Sequence, residues 1–297
     1  MGWRIIYVED AMNIRLYLDN LKVEKETKEV TIPLSDIHSL IIDNQKITMT
    51  IPLITKCAEY NINLILCSIE HMPKAVLQAF NGNYQTPLII KKQIDWDSDI
   101  KSVIHKLIIK NKINNQIDLL KYLNLDFDII QKLIKFESEV NEGDTLNREG
   151  LSAKMYFRVL YGSNFKRFEE SVINNGLNYG YSILRSQISK TIIAKGLLPG
   201  IGIIHKGYNN PFNLSDDIIE VFRPLVDWYV YTYLKDAIVF KREHRLELIK
   251  LTTKDVLIKG CRQTLLNAIN IFIDRILDIF EFGDISKFED IRLLYGV

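Results

Sequence analysis

The chain has 297 residues, 47% hydrophobic and 25% charged, a balance of folded globular proteins that excludes a disordered chain. A net charge of +1 excludes a uniformly basic nucleic-acid binder, though not a basic patch on a balanced chain. Cys57, Cys67 and Cys261 stand far apart, which excludes a disulfide framework and a zinc-finger spacing and makes a reducing cytoplasm the expected compartment.

The N-terminus, MGWRIIYVEDAMNIRLYL, carries acids early and lacks the long apolar core of a secretory signal. Ile6 stands where a myristoylation signal wants Ser or Thr. No apolar run approaches the length of a membrane span, so no membrane partner is expected. WRIIYVE, IRLYL, LKVEKE and KEVTIPL then place apolar side chains at every second position, as half-buried strands do. Asp19-Asn20 suits a tight hairpin turn between two of them. SLIID reads as a further strand, TIPLITKCAEY as a helix, and INLILCSI as a buried strand.

The pattern changes near Pro87. Ser98 is placed to cap a helix whose apolar stripe is Ile100, Val103, Ile104, Leu107 and Ile108. Helical spacing recurs in 116–123, 127–140, 148–161, 169–195, 215–240 and 254–282, and no strand is expected after residue 95. The expected fold is α+β: a small, mostly-β N-terminal domain over 1–95, then a larger all-α domain over 96–297. The aromatic stretch VDWYVYTYL at 226–234 is expected in the core rather than as a platform for bases.

Of the five histidines, His38, His71, His105 and His244 read as surface or hydrogen-bonded groups. His205 differs, because GLLPGIGII and KGYNN converge on it. After it come Asp216 and Asp217, good first-turn acids of a helix that Ser215 or Asn213 could cap. That plainer reading leaves Glu220 unexplained, a turn further in and on the same face, where repulsion calls for a cation or a basic side chain. Glu149 opens a largely apolar helix, so its carboxylate is expected at a cleft. One imidazole and two carboxylates suit Mn²⁺ or Mg²⁺, which polarises a phosphoryl oxygen. No acid lies between Glu170 and Asp216, while Arg185, Lys190, Lys195 and Lys206 do, and residues 235–262 hold eight Lys or Arg against four acids. Such local excess suits a phosphate backbone, although a solvated helix face explains it about as well.

REGLSAKMYF at 148–157, LNYGYSILRS at 177–186, GLLPGIGIIHKG at 196–207 and FNLSDDIIEVFRPLVD at 212–227 stand in one order. Together they resemble the CRISPR-associated integrase and endonuclease family of spacer acquisition. IPLSDIHSLIID at 32–43 is similar to that family's N-terminal β domain, and the length and EVFRP ending resemble the form found in type II systems. The resemblance implies a homodimer that assembles with a small second CRISPR-associated subunit. It implies that each 3′-hydroxyl of a captured double-stranded DNA fragment attacks a phosphodiester of the repeat. The family's metal-ligand motif falls on Glu149, His205 and Glu220, with Asp217 matching a second acid of some relatives. Lys206, Arg185 and Lys190 are candidates for phosphate contact on charge alone. Two other readings remain open at this point: a non-catalytic DNA-binding scaffold, and a structure-specific nuclease without an integrase role.

Overall fold

A computed structural model describes residues 2–25, 28–79 and 83–296. The chain divides into two compact units: Met1–Ile90 with Ser189–Leu197, and Lys91–Ile188 with Leu198–Val297. The expected domains were contiguous, whereas Ser189–Leu197 groups with the first unit. Lys190 shows why: its Nζ is buried and donates to the His38 carbonyl at 3.0 Å.

The first unit runs β1 (Arg4–Val8), β2 (Asn13–Tyr17), β3 (Asn20–Glu24), β4 (Glu29–Pro33), β5 (Ile37–Ile42), β6 (Thr48–Met49), α1 (Ile51–Glu59), β7 (Asn63–Cys67) and β8 (Pro73–Leu77). They form two sheets, in the orders β4-β3-β2-β6 and β1-β5-β7-β8. The β2–β3 turn is Leu18-Asp19, both left-handed with φ of 45° and 55°, as a two-residue hairpin turn requires. It falls one residue before the expected Asp19-Asn20, because Asn20 already pairs with Tyr17 in the ladder. Strand β5 is buried along its length between parallel β1 and β7, which is why SLIID reads as a continuous apolar run. Helix α1 carries Pro52 in its first turn, where a missing N–H costs nothing. Its Leu53 and Cys57, one turn apart, enter the core with Ile14, Leu21, Leu40 and Leu64. Each such buried leucine contributes about 1.5–3 kcal/mol.

The remaining helices are α2 (Thr86–Ile94), α3 (Ser98–Tyr122), α4 (Phe127–Glu139), α5 (Arg148–Tyr161), α6 (Val172–Ala194), α7 (Asn213–Ile219), α8 (Arg223–Leu234) and α9 (Arg242–Lys250). They are followed by β9 (Asp255–Ile258), β10 (Cys261–Thr264), α10 (Leu265–Phe282) and β11 (Ile291–Leu293). The cap of α3 is Asp97, not Ser98; its carboxylate accepts from the Asp99 and Ile100 amides, both at 2.9 Å. Helix α3 is the hub of the second unit. Its buried polar side chains bind neighbours directly: Asn111 the backbone of Ile291, Asn115 the Val221 carbonyl, and Gln116 the Ser152 hydroxyl. Val226, Trp228 and Tyr229 of α8 are buried, as expected, whereas Tyr233 at the end of the same stretch is exposed.

The absence of strands after residue 95 is overturned. Strands β10, β9 and β11 form a three-stranded antiparallel sheet, where helix was expected from 254. These strands are three or four residues long, too short for a period of two to outweigh the apolar spacing of the helix that follows. Lys259 and Gly260, with φ of 52° and 72°, close the hairpin, and Asn111 holds β11 in place. Among the described residues no helix is long and apolar enough to cross a membrane.

Candidate active site

Glu149 lies in the first turn of α5. Asn147, the formal cap, makes no side-chain cap. Asp144 substitutes for it, accepting from the Arg148 amide at 2.8 Å and the Glu149 amide at 2.9 Å. Two of the orphan donors of the helix are thereby satisfied, and the backbone that carries Glu149 is fixed. Its carboxylate receives Lys112 Nζ of α3 at 2.7 Å.

Glu220 sits at the C-terminal end of α7, just before α8 begins. It is 8% exposed. Arg223 Nε donates to Oε1 at 2.9 Å, and Lys112 Nζ lies 2.5 Å from Oε2. The Lys112 contact is an ion pair with a buried carboxylate oxygen. Burial alone would favour a protonated Glu220, but Arg223 and Lys112 overcome it and hold the carboxyl well below its ordinary value. Burial likewise opposes the charge of Lys112, and Glu220 and Glu149 reverse that, raising its pKa. The repulsion expected around Glu220 is thus relieved by basic side chains.

His205 is delivered by the loop before α7, and Asp217 holds that loop. The Asp217 side chain is fully buried. It accepts from the amides of Ile203 at 2.5 Å, Ile204 at 3.1 Å and His205 at 3.1 Å, and it meets His205 Nδ1 at 2.5 Å. The hydrogen bond to Asp217 raises the His205 pKa, while burial opposes it. A Cβ on Gly202 would stand 2.6 Å from the His205 carbonyl and 2.8 Å from Asp217 Oδ2, so the loop closes only around glycine. Neither expected cap serves α7; Asn213 instead ties the loop, donating to the Gly200 and Gly207 carbonyls at 3.0 Å each. Asp217 therefore does more than suit a first turn, because it sets where His205 stands.

Of the three residues singled out from sequence, Glu149 and Glu220 meet on one ammonium, Lys112. His205 lies in the field of Glu220, but the three do not all fall within 4.8 Å of one another. Among the described residues Glu9, Asp43 and His71 are the His, Cys, Asp or Glu side chains that do. Sequence reasoning missed Lys112 and set His105 aside as a polar-face residue. His105 is half-buried in the field of Glu149, Asp144, Asp217 and His205, and burial lowers its pKa. Both were signalled. They are seven residues apart, two turns on one face of α3, and Lys112 interrupts an isoleucine-rich stretch. Lys190 is no surface cation; burial lowers its pKa to about 8 and its ammonium is spent on the His38 carbonyl.

Residues 6–266 match the family model described as "CRISPR associated protein Cas1". The chain belongs to the Cas1 family. A Cas1 endonuclease of Neisseria meningitidis serogroup C (strain 8013) is 33% identical over 227 residues, covering 76% of this chain and 74% of that protein. Two solved structures share the fold at lower identity. One is a Cas1 protein from Thermotoga maritima, with a TM-score of 0.73, 15% identity and 99% of each chain covered. The other is a casposase bound to integration product, with a TM-score of 0.76, 18% identity and 95% and 92% of the two chains covered.

The donors present in this Cas1-family chain fit a hard divalent cation. Two carboxylates supply oxygen, and the Lys112 ammonium 2.7 Å from Glu149 and 2.5 Å from Glu220 already marks a place where they face one cation. With Nδ1 of His205 engaged by Asp217, the other ring nitrogen is the one left for an ion, the usual arrangement for a ligating histidine.

Proposed function

We propose that this Cas1-family chain is the divalent-metal-dependent integrase and endonuclease of CRISPR spacer acquisition, in the form found in type II systems. Glu149, His205 and Glu220 would hold Mg²⁺ or Mn²⁺. The observation that carries the reading is the convergence of Glu149 and Glu220 on a single cationic centre, with His205 oriented by Asp217 beside them. When bound, the ion polarises a phosphoryl oxygen and offsets the charge that develops there.

The chain's own groups prepare that chemistry. Asp217 fixes the imidazole and its tautomer. Arg223 keeps Glu220 ionised and in place. Lys112 keeps the two carboxylates together until an ion takes the place of its ammonium. The 3′-hydroxyl of the captured fragment attacks a phosphodiester of the repeat, and alignment of the two supplies much of the rate. The expected setting is cytoplasmic. The chain acts as a homodimer through the N-terminal domain, residues 1–95, together with a small second CRISPR-associated subunit and double-stranded DNA.

The test is a strand-transfer assay on a repeat-containing plasmid, with and without the small subunit. Glu149→Ala and Glu220→Ala should each abolish joining while the fold is kept, and full joining by either variant overturns the site. A neutral His205 is needed to ligate, and its pKa is raised by Asp217. Joining should therefore fall on acidification, with a midpoint that moves to lower pH as Mn²⁺ is raised, because proton and ion compete for the ring.

A further inference from the structure

The first unit brings two acids and a histidine together where its parallel strands end. Glu9 follows β1 and Asp43 follows β5, and the ladder runs on to Asp43, whose amide donates to the Val8 carbonyl at 2.8 Å. His71 stands in the β7–β8 turn with a left-handed φ of 61°. One ligand atom from each of the three lies within 4.8 Å of the other two. Two ligands of one ion stand at most twice a bond length apart, about 4–5 Å for bonds of roughly 2.0–2.6 Å. The three side chains are thus already as close as a shared ion requires. The carboxyl ends of parallel strands are also where open sheets commonly take their ligands.

The donors are held in place by their own backbone. Asn44 Nδ2 donates to the Glu9 carbonyl at 2.6 Å and to the Ala11 carbonyl at 3.2 Å, which fixes the chain after β1. The Ser68 amide donates to the Met72 carbonyl at 2.8 Å and the His71 amide to the Ser68 carbonyl at 2.9 Å, which closes the turn. Tyr7, two residues before Glu9 and so on the same face of β1, donates its hydroxyl to Asp43 Oδ2. Asp43 Oδ1 faces His71 Nδ1 at 2.8 Å. Two ligands at right angles on one ion, with bonds of about 2.1 Å, stand about 3 Å apart, so this pair needs little movement to coordinate. The Asp43 side chain is 1% exposed, against 47% for His71. A second carboxylate beside a buried one is repelled in surroundings that screen weakly. A hydroxyl brings no charge to offset that and an imidazole at most one, whereas a divalent ion brings two.

We propose that Glu9, Asp43 and His71 hold a divalent cation of the borderline kind, such as Mn²⁺, in addition to the ion at Glu149, His205 and Glu220. Mixed nitrogen and oxygen donors select that kind over Ca²⁺, which takes oxygen alone. Asp43 is the buried anchor, and the exposed His71 side leaves further positions of the ion to water. The ion ties the ends of β1 and β5 to the β7–β8 turn, a structural role in the first unit.

The test counts Mn²⁺ bound to the full chain by electron paramagnetic resonance, in which the free-ion signal falls as ions are taken up. The wild type should bind two ions. Glu149→Ala/His205→Ala, which disarms the second unit and leaves Glu220 with Lys112 and Arg223, should still bind one. Adding Asp43→Asn to that pair should abolish the remaining binding. Adding His71→Asn, which tolerates the left-handed turn, should weaken it at least about tenfold. Mn²⁺ should also slow amide hydrogen exchange over residues 68–72 in Glu149→Ala/His205→Ala, and no longer do so once His71→Asn is added. No ion bound by Glu149→Ala/His205→Ala overturns the proposal. So does one bound ion whose affinity neither Asp43→Asn nor His71→Asn changes, because it then sits elsewhere. His71→Asn, at an exposed side chain, decides the matter if Asp43→Asn does not fold. The two sites fail separately. A single wild-type ion lost in Glu149→Ala/His205→Ala sinks the first-unit site alone, and a single wild-type ion kept there but lost in Asp43→Asn sinks the second-unit site alone.

Discussion

Two groups of acids and histidines in this molecule answer the same electrostatic problem in opposite ways. In the first unit Glu9, Asp43 and His71 lie within 4.8 Å of one another. There the negative charge is met by hydroxyl and imidazole: Tyr7 donates to one oxygen of Asp43, and His71 Nδ1 lies 2.8 Å from the other. In the second unit Glu149 and Glu220 are held by full positive charges, Lys112 and Arg223. Compactness does not set the two groups apart by charge; what marks the second is that its carboxylates are arranged around a cation.

The largest expected effect separates the two groups directly. Glu220→Ala should reduce strand joining by on the order of a thousandfold, whereas His71→Ala should leave it within about twofold. The reverse ranking in a strand-transfer assay would mean that the chemistry belongs to the first unit. Next, Lys112→Met removes the charge that the two glutamates share. Breaking a buried pair costs about 3–5 kcal/mol, so the metal-free protein should melt well below the wild type. Added Mn²⁺ should restore more stability to this variant than it adds to the wild type, and equal shifts would break the view of Lys112 as a resident cation.

A third test stays within the second unit. Buried Asp227 is served by the Tyr156 and Tyr181 hydroxyls, and burial pushes its pKa up to about 6, opposite to Glu220. Ionised at neutral pH, it costs the fold on the order of 3 kcal/mol. As pH falls through 6 the folded state takes a proton that the unfolded state takes only nearer 4. Wild-type stability should therefore rise relative to Asp227→Asn on going from neutral to mildly acidic pH, measured as a widening difference in melting temperature. A constant difference would mean that hydroxyls serve this acid as well as cations do. The smallest effect is that of Tyr7→Phe, which removes one donor to Asp43 and should cost about 1 kcal/mol with joining unchanged.

Much of this was legible in the sequence where one local rule decides the outcome. Strands β1 to β5 and β7 follow their alternation or their apolar run, and α1 follows its spacing. The sheet of β9, β10 and β11 was not legible, because its third strand is held by a side chain 180 residues away, Asn111. Site residues divide in the same way. Glu149, His205 and Glu220 stood out by residue type, context and resemblance. The roles of Asp144, Asp217, Arg223 and above all Lys112 depend on where separate helices bring their charges, and spacing along one segment carries none of that.

One further consequence follows from how the loop before α7 is tied down. Asp217 grips the backbone from Ile203 to His205, and Asn213 grips Gly200 and Gly207. The imidazole is thereby insulated from the chain between Tyr208 and Phe212, where Tyr208 is fully exposed. Doubling the length of a flexible loop costs only about 0.6 kcal/mol. A reporter spliced beside exposed Tyr208 would therefore sit close to the imidazole and leave those ties in place, whereas one at Asn210 or Phe212 would cut their contacts with Asp216 and Arg185.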